Sequence, residues 1–376
     1  MLDWEKRVKI RIDRKNRPFS GNSAAVIIPK TAFEVRVYPV KLEFFNREKF
    51  SEFFSAEIFF NLKGAPVNFK IFLDLETSCI EVFANFEDEI IRYKIFGEGD
   101  RVVIRLEKAE AGNVQVCLRT NGKMEISSLK LKKNFYLPLR TKFLLEESLE
   151  KLSLGVRKNQ DMELISRRND LREVFPFWFV AGQKVPVLQM ENRGIASLFD
   201  EIDVLVKKKE KQKLYNLFLN VFKAGFSGIF APRLLDIGFQ GVYDFENPFD
   251  SERTAVEASS LVLLRKGSEF IRSLFIRQNN NNLEVLPFLL SQFYCGKMTG
   301  IKLGNLGVLD IEWSKEILKK MILVTKKDEE INFLFQAKIK TFRMKKNIYD
   351  RGVICRSGYP VEVQKGSVYY FDRFEK

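Results

Sequence analysis

The feature that most constrains this chain is a series of short segments between Ala24 and Leu131 in which apolar and polar residues alternate. Phe33, Val35 and Val37 alternate with Glu34, Arg36 and Tyr38, the period-two pattern of a strand with one face buried. Runs of the same kind cover 56–62, 68–75, 80–86, 90–96, 102–106, 114–118 and 124–131. Turn residues separate several of them: Lys63-Gly64-Ala65-Pro66, Gly97-Glu98-Gly99-Asp100 and Asn121-Gly122. An Asn-Gly pair between alternating segments predicts a two-residue hairpin. So many short strands at regular spacing predict an antiparallel β-sandwich over 23–138. A charged N-terminal arm, 1–22, precedes it.

Beyond Pro138 the periodicity changes. Residues 211–226 place Leu214, Leu217, Phe218, Val221 and Phe222 on one helical face. Residues 255–275 do the same with Val256, Leu263, Leu264, Ile271 and Phe275. Weaker helical patterns cover 144–154 and 161–174, an aromatic cluster follows at Phe175-Pro176-Phe177-Trp178-Phe179, and 233–251 reads as a long loop. Strand texture returns over 306–311, 317–324, 331–335, 352–355 and 368–371. The expected fold is α+β and multidomain: the N-terminal β-sandwich, a helical middle region over 139–282, and a C-terminal β-sandwich over 283–376.

Composition limits the chemistry. The chain has no histidine among its 376 residues, which removes Ser-His-Asp and Cys-His catalysis and any histidine-held zinc or haem. Acid–base work would fall to Asp, Glu, Lys, Tyr or Cys. The four cysteines, Cys79, Cys117, Cys295 and Cys355, are scattered without a Cys-x-x-Cys pair and read as reduced thiols of a cytoplasmic protein. No apolar run approaches the ~18 residues of a membrane span, and the first residues lack the apolar centre of a signal peptide. The net charge of +14 favours polyanions at long range. Its basic residues are spread along the chain, however, so nucleic acid ranks below other partners. The densest run, Lys207 to Lys213, has no interleaved aromatics to stack bases and reads as a solvated connection between helices.

Residues 255–313 carry a resemblance. The helical run passes into four asparagines at 279–282, then Leu286-Pro287, a loop punctuated by Gly296, Gly300 and Gly304, and a strand ending in Glu312-Trp313. That order resembles the exit from the helical barrel of the six-hairpin glycosidases, the alpha-L-fucosidase and disaccharide-phosphorylase type. The resemblance implies two β-sandwiches flanking a helical domain, a saccharide ligand, and glycoside hydrolysis with inversion and no cofactor or metal. A complete six-hairpin barrel takes twelve helices, whereas the middle region has room for about four to six of ordinary length. A shortened barrel is therefore expected. A non-catalytic scaffold that kept its sandwiches and binds a protein partner is the alternative, with a basic nucleic-acid-binding protein the third.

Inverting glycosidases need two carboxyl groups ~6.5–9.5 Å apart, one to protonate the leaving oxygen and one to activate water. The resemblance places such groups in the helical region, where Asp161, Asp244 and Glu246 are candidates by location. Tyr243 and Phe245 beside the last two could stack on a sugar ring; a solvated loop with an apolar anchor is the other reading. Arg167 and Arg168 could act as forks for a phosphate or a carboxylated sugar, or join an ion-paired helix surface with Asp161 and Asp170. Trp178 could offer a sugar-stacking platform or be core. Trp313, on an alternating strand, is expected in the core.

Overall fold

The computed structural model describes residues 9–48, 54–144, 149–188, 192–235, 258–336 and 338–376. The strands of the N-terminal part form two six-stranded antiparallel sheets. One runs in the order Phe19–Ser20, Pro66–Asp74, Cys79–Phe86, Ile90–Glu98, Arg101–Lys108, Asn134–Arg140. The other runs Lys123–Lys130, Asn113–Thr120, Ala56–Phe60, Lys41–Asn46, Phe33–Val37, Ala24–Ile27. Alternation decides which face is buried: Ile80, Val82, Ala84 and Phe86 are inside, and Glu81, Phe83 and Asn85 are half-exposed. The rings of Phe60 and Tyr93, one from each sheet, meet with centroids 5.1 Å apart. Asn121 and Gly122 both take positive φ, 48° and 75°, as a type I′ hairpin turn requires. They join Thr120 to Lys123, which are Cα partners in the ladder.

The described part of the N-terminal arm is not free. Phe19–Ser20 pairs with Pro66–Asp74, and the Leu75 and Leu73 amides donate to the carbonyls of Asn16 and Pro18. Ile10, Asn16, Pro18 and Ser20 are buried while Arg11, Asp13 and Lys15 are exposed. The charges belong to the outward face of an extended segment, and their density hides its alternation.

The middle region contains five described helices: α1 (Met162–Arg168), α2 (Leu171–Gln183), α3 (Ile202–Lys207), α4 (Lys211–Gly225) and α5 (Leu261–Phe275). The single helix expected over 161–174 is two. Asn169, at φ 51°, ends α1 in a left-handed cap, and Asp170 starts α2 by accepting the Arg172 amide. The aromatic cluster lies inside α2. Two glycines let α2 and α5 approach closely. A Cβ on Gly182 would stand 2.2 Å from the Leu264 carbonyl oxygen, and one on Gly267 would stand 2.4 Å from the Trp178 ring. Within 144–154, where a helix is expected, 145–148 lie outside the described residues and Lys151–Ser153 is a strand, antiparallel to Cys295–Lys302.

That pairing draws the middle of the chain into a seven-stranded sheet: Lys151–Ser153, Cys295–Lys302, Gly307–Ser314, Ile317–Thr325, Val368–Glu375, Thr341–Lys345, Val353–Arg356. A four-stranded sheet (Ile276–Asn279, Asn282–Val285, Glu329–Leu334, Pro360–Val363) stands beside it, with a parallel pairing of Asn282–Val285 to Glu329–Leu334. The expected glycine-punctuated loop is the strand Cys295–Lys302. Gly296 is needed because the Trp313 ring would lie 2.3 Å from a Cβ there, and Gly300, at φ 72°, sits where the ladder shifts register. Trp313 is buried, as expected. The buried apolar residues of sheets and helices form one continuous core. All four cysteines are unpaired; Cys79 is buried and the others half-buried. Among the described residues no helix is long and apolar enough to cross a membrane.

The bulge at Gly300 frees its amide, which donates to the Asp310 carboxylate at 2.8 Å. Burial pushes the Asp310 carboxyl above its ordinary value, and the Gly300 bond only partly opposes this. A raised folded-state pKa favours the neutral form, so this stabilisation is complete below the unfolded value of ~3.9 and is lost as pH rises through the folded value. Asp310→Asn, which keeps the acceptor for Gly300 and cannot ionise, is therefore expected to be more stable than the parent at pH 7. The gap should close below about pH 3.9. Urea melts at both pH values check this, and equal gaps at both would refute the assignment.

Candidate functional site

The sequence singled out α1 and its surroundings, and the structure gives most of those polar groups structural tasks. Asp161 is the N-cap of α1, its carboxylate accepting the Glu163 and Leu164 amides at 2.9 and 3.3 Å. A carboxylate so held is committed to the helix end. Arg168 grips both oxygens of the buried Glu173, which Lys158 also approaches at 3.1 Å. Asp170 is bound by the Arg172 guanidinium at 2.9 and 2.8 Å. An ion-paired surface does form here, but through Glu173, Lys158 and Arg172 rather than among Asp161, Arg167, Arg168 and Asp170 as expected, and Arg168 is not an open anion fork. Arg167 is exposed and makes no side-chain hydrogen bond or ion pair among the described residues.

Trp178 is a correction: it is fully buried and offers no face to a sugar. Its ring packs against Phe175, Phe199, Phe218 and Phe226, and its Nε1 donates to the Leu263 carbonyl at 2.8 Å. Burying the largest apolar side chain with its one donor satisfied is the favourable solution for a tryptophan in a helix core. Asp244, Glu246 and Tyr243 lie outside the described residues. The Lys207 to Lys213 run spans the α3–α4 connection, where Lys213 pairs with Glu210.

A cavity of about 370 Å³ opens beside the same helix. Met162, Ser166 and Asn169 of α1 line one wall, spaced four and three residues apart and so on one helical face. Phe222 and Lys223 near the end of α4 line another. The third is the ribbon Phe226–Ser227 with Ala231–Pro232, whose tight turn carries Gly228 and Phe230. That turn is pressed onto the strand Ala24–Ile27. The Ile229 amide donates to the Ala25 carbonyl at 2.9 Å, Phe230 bridges to Val26, and a Cβ on Gly228 would stand 2.3 Å from the Ala25 oxygen.

Phe230 adopts φ 56°, a left-handed conformation that costs an aromatic residue of order 1–3 kcal/mol and persists only where its surroundings enforce it. Here the rings of Phe177, Phe222 and Phe226, each 5.9 Å away, enforce it. The result is a stiff, largely buried aromatic base interspersed with two hydroxyls, an amide and one ammonium. No carboxylate is among these lining residues, so they can bind and orient a ligand but do not supply the carboxyl pair that inverting glycoside hydrolysis uses. Among the described residues no cluster of three or more Cys, Asp or Glu could hold a metal ion.

Sequence reading missed Ser166, Asn169, Lys223 and the Phe226–Phe230 turn, and took Phe222 as a plain helix-face residue. The one local signal was the polar pair Ser166 and Asn169 on the face that Met162 buries.

These features define a β-rich protein with a helical middle and a small-molecule-sized cavity within that middle. No protein-family model and no curated protein matches the chain.

Proposed function

We propose that the protein binds a saccharide in the cavity between α1, α4 and the Phe226–Phe230 turn. The observation that carries this reading is the mixed lining: phenyl rings and Met162 interspersed with Ser166, Asn169, Ser227 and Lys223. Sugars present C–H faces and rings of hydroxyls, and sites that hold a polar ligand by a few placed groups in an otherwise apolar pocket suit them. The order of sheets, helices and sheets agrees with the six-hairpin resemblance. On this reading the two N-terminal sheets are one β-sandwich of that architecture, the seven- and four-stranded sheets, which also take in Lys151–Ser153 and Ile276–Asn279, are the other, and the helices between them are its shortened α/α barrel, in a cytoplasmic protein. Glycoside hydrolysis, with Asp244 and Glu246 as the carboxyl pair, is the catalytic form of the same proposal. Binding without turnover is the form that the described lining supports.

The test is a thermal-shift panel of mono- and oligosaccharides. A ligand at about 100 times its Kd should add ~2.7 kcal/mol of stability. Lys223→Ala and Ser166→Ala together should weaken a hit by roughly 2–4.5 kcal/mol, two lost hydrogen bonds with one of them charged. A panel that shifts nothing, or a hit indifferent to both substitutions, would sink the reading.

A further inference from the structure

A second cavity, of about 300 Å³, lies between the extended N-terminal segment, residues 153–157, and the edge of the seven-stranded sheet. Four cations line it: Arg11, Arg14, Arg157 and Lys297. Two carboxylates oppose them, Asp13 and Glu312. Lys297 and Glu312 face each other at 3.6 Å across neighbouring strands, which largely accounts for that pair. Arg11 and Arg157 are exposed, and among the described residues neither side chain makes a hydrogen bond or ion pair.

Arg14 lies close enough to Arg157 to feel its charge, and it is fixed. Its guanidinium donates to the Val156 carbonyl at 2.8 Å and also to that of Lys158. Neutral carbonyls orient an arginine without cancelling its charge, and they leave some of its five N–H donors unused. Burial lowers the Arg14 guanidinium from its ordinary value; Glu173 draws it back up, and Arg157 lowers it further. The fold has therefore brought two like charges together and desolvated one, with no carboxylate bonded to either guanidinium. Glu173 outweighs Arg157 in its effect on Arg14 and offsets part of the desolvation, and an anion in the cleft would offset more of it.

The floor is shaped for close approach. Gly155, at φ 77°, has no room for a Cβ, which would lie 2.7 Å from the Cys295 sulfur, and Gly296 lies under the Trp313 ring. Ile12, Arg14, Ser153 and Val156 also wall a smaller adjoining void of about 30 Å³, the scale of a bound water. The main cavity is at the small end of the ~300–1,000 Å³ range of ligand pockets. That volume suits a phosphoryl group on a small carrier.

We infer that this cleft binds a small phosphorylated ligand, with its phosphoryl group held between Arg11 and Arg157 and oriented by Arg14. Arginine forks match phosphate oxygens two at a time, which a general positive surface would not do. The inference is independent of the saccharide reading, since the two cavities share no lining residue.

The experiment titrates glycerol phosphate and inorganic phosphate into the full chain, read by thermal shift and calorimetry, with glycerol as the neutral control and a short single-stranded DNA as the polyanion. Both phosphates should bind saturably and glycerol should not. Arg157→Gln and Arg11→Gln, both at exposed positions, should each weaken binding about tenfold or more, as expected for one charge-assisted pair. Asp13→Asn should tighten it, and Arg167→Gln, at an unpaired arginine outside the cleft, should change nothing. Equal affinity in Arg157→Gln and the parent overturns the inference. So does an equal loss in Arg167→Gln, or binding of DNA alone.

Discussion

Trp178→Ala is expected to cost about 3–5 kcal/mol, the range for removing a large aromatic from a packed core. The indole has no exposed surface and touches four aromatic rings. Its removal would also take the partner of the Leu263 carbonyl. The site cannot collapse easily, because Gly267 of α5 lies directly under the ring and the α2–α5 contact is set by backbone as much as by side chains. Trp178→Phe should fall between parent and alanine, keeping part of the volume and losing the hydrogen bond. Urea denaturation followed by circular dichroism measures both, and a loss under about 1 kcal/mol for the alanine variant would show that the helices repack.

Glu150→Ala should be of similar size, ~3–5 kcal/mol, because it leaves a partly buried cation without its partner. One Glu150 oxygen accepts from Arg272 of α5 at 2.8 Å and the other from the Lys302 amide at 2.8 Å. Its backbone exchanges hydrogen bonds with the Gln183 side chain at the end of α2. Residue 150 thus joins two helices to the seven-stranded sheet, and the Arg272 guanidinium also donates to the Lys302 carbonyl. Glu150→Gln, which keeps the shape and one acceptor oxygen, should lose less. A double-mutant cycle with Arg272→Ala isolates the pair. Additive losses within about 0.5 kcal/mol would mean the contact contributes nothing of its own.

The same two residues mark how far the sequence could be read. Trp178 stood in a cluster that admitted both a sugar platform and a core, and its helix, α2, went unrecognised beyond 174. Pro176 sits in the interior of that helix, where proline ordinarily argues for a boundary. Glu150 was invisible, because nothing local distinguishes it from the acids around it; its partners are 33, 122 and 152 residues away. The candidate acids show the same limit. Asp161 matched the residue type that acid–base chemistry needs, but its amide partners are two and three residues ahead, and a helix cap was the nearer explanation.

The sequence by itself determined the periodic elements. Alternation placed eight of the twelve strands of the two N-terminal sheets and missed Phe19–Ser20, Ala24–Ile27, Lys41–Asn46 and Asn134–Arg140; Asn121-Gly122 placed their hairpin, and the 3.6-residue spacing of Leu214, Leu217, Phe218 and Val221 placed α4. Each of these depends on neighbours within a few residues, so the pattern is written along the chain. The absence of histidine likewise restricted the chemistry without any structure. Only the tertiary structure decided what lines the cavities. It drew Lys151–Ser153 into the C-terminal sheet, set the 226–232 turn on the strand Ala24–Ile27, and brought Arg11 and Arg14 to Arg157 and Lys297. Those meetings depend on which buried faces pack together, and the period of a segment shows that it has a buried face without naming the surface that will cover it.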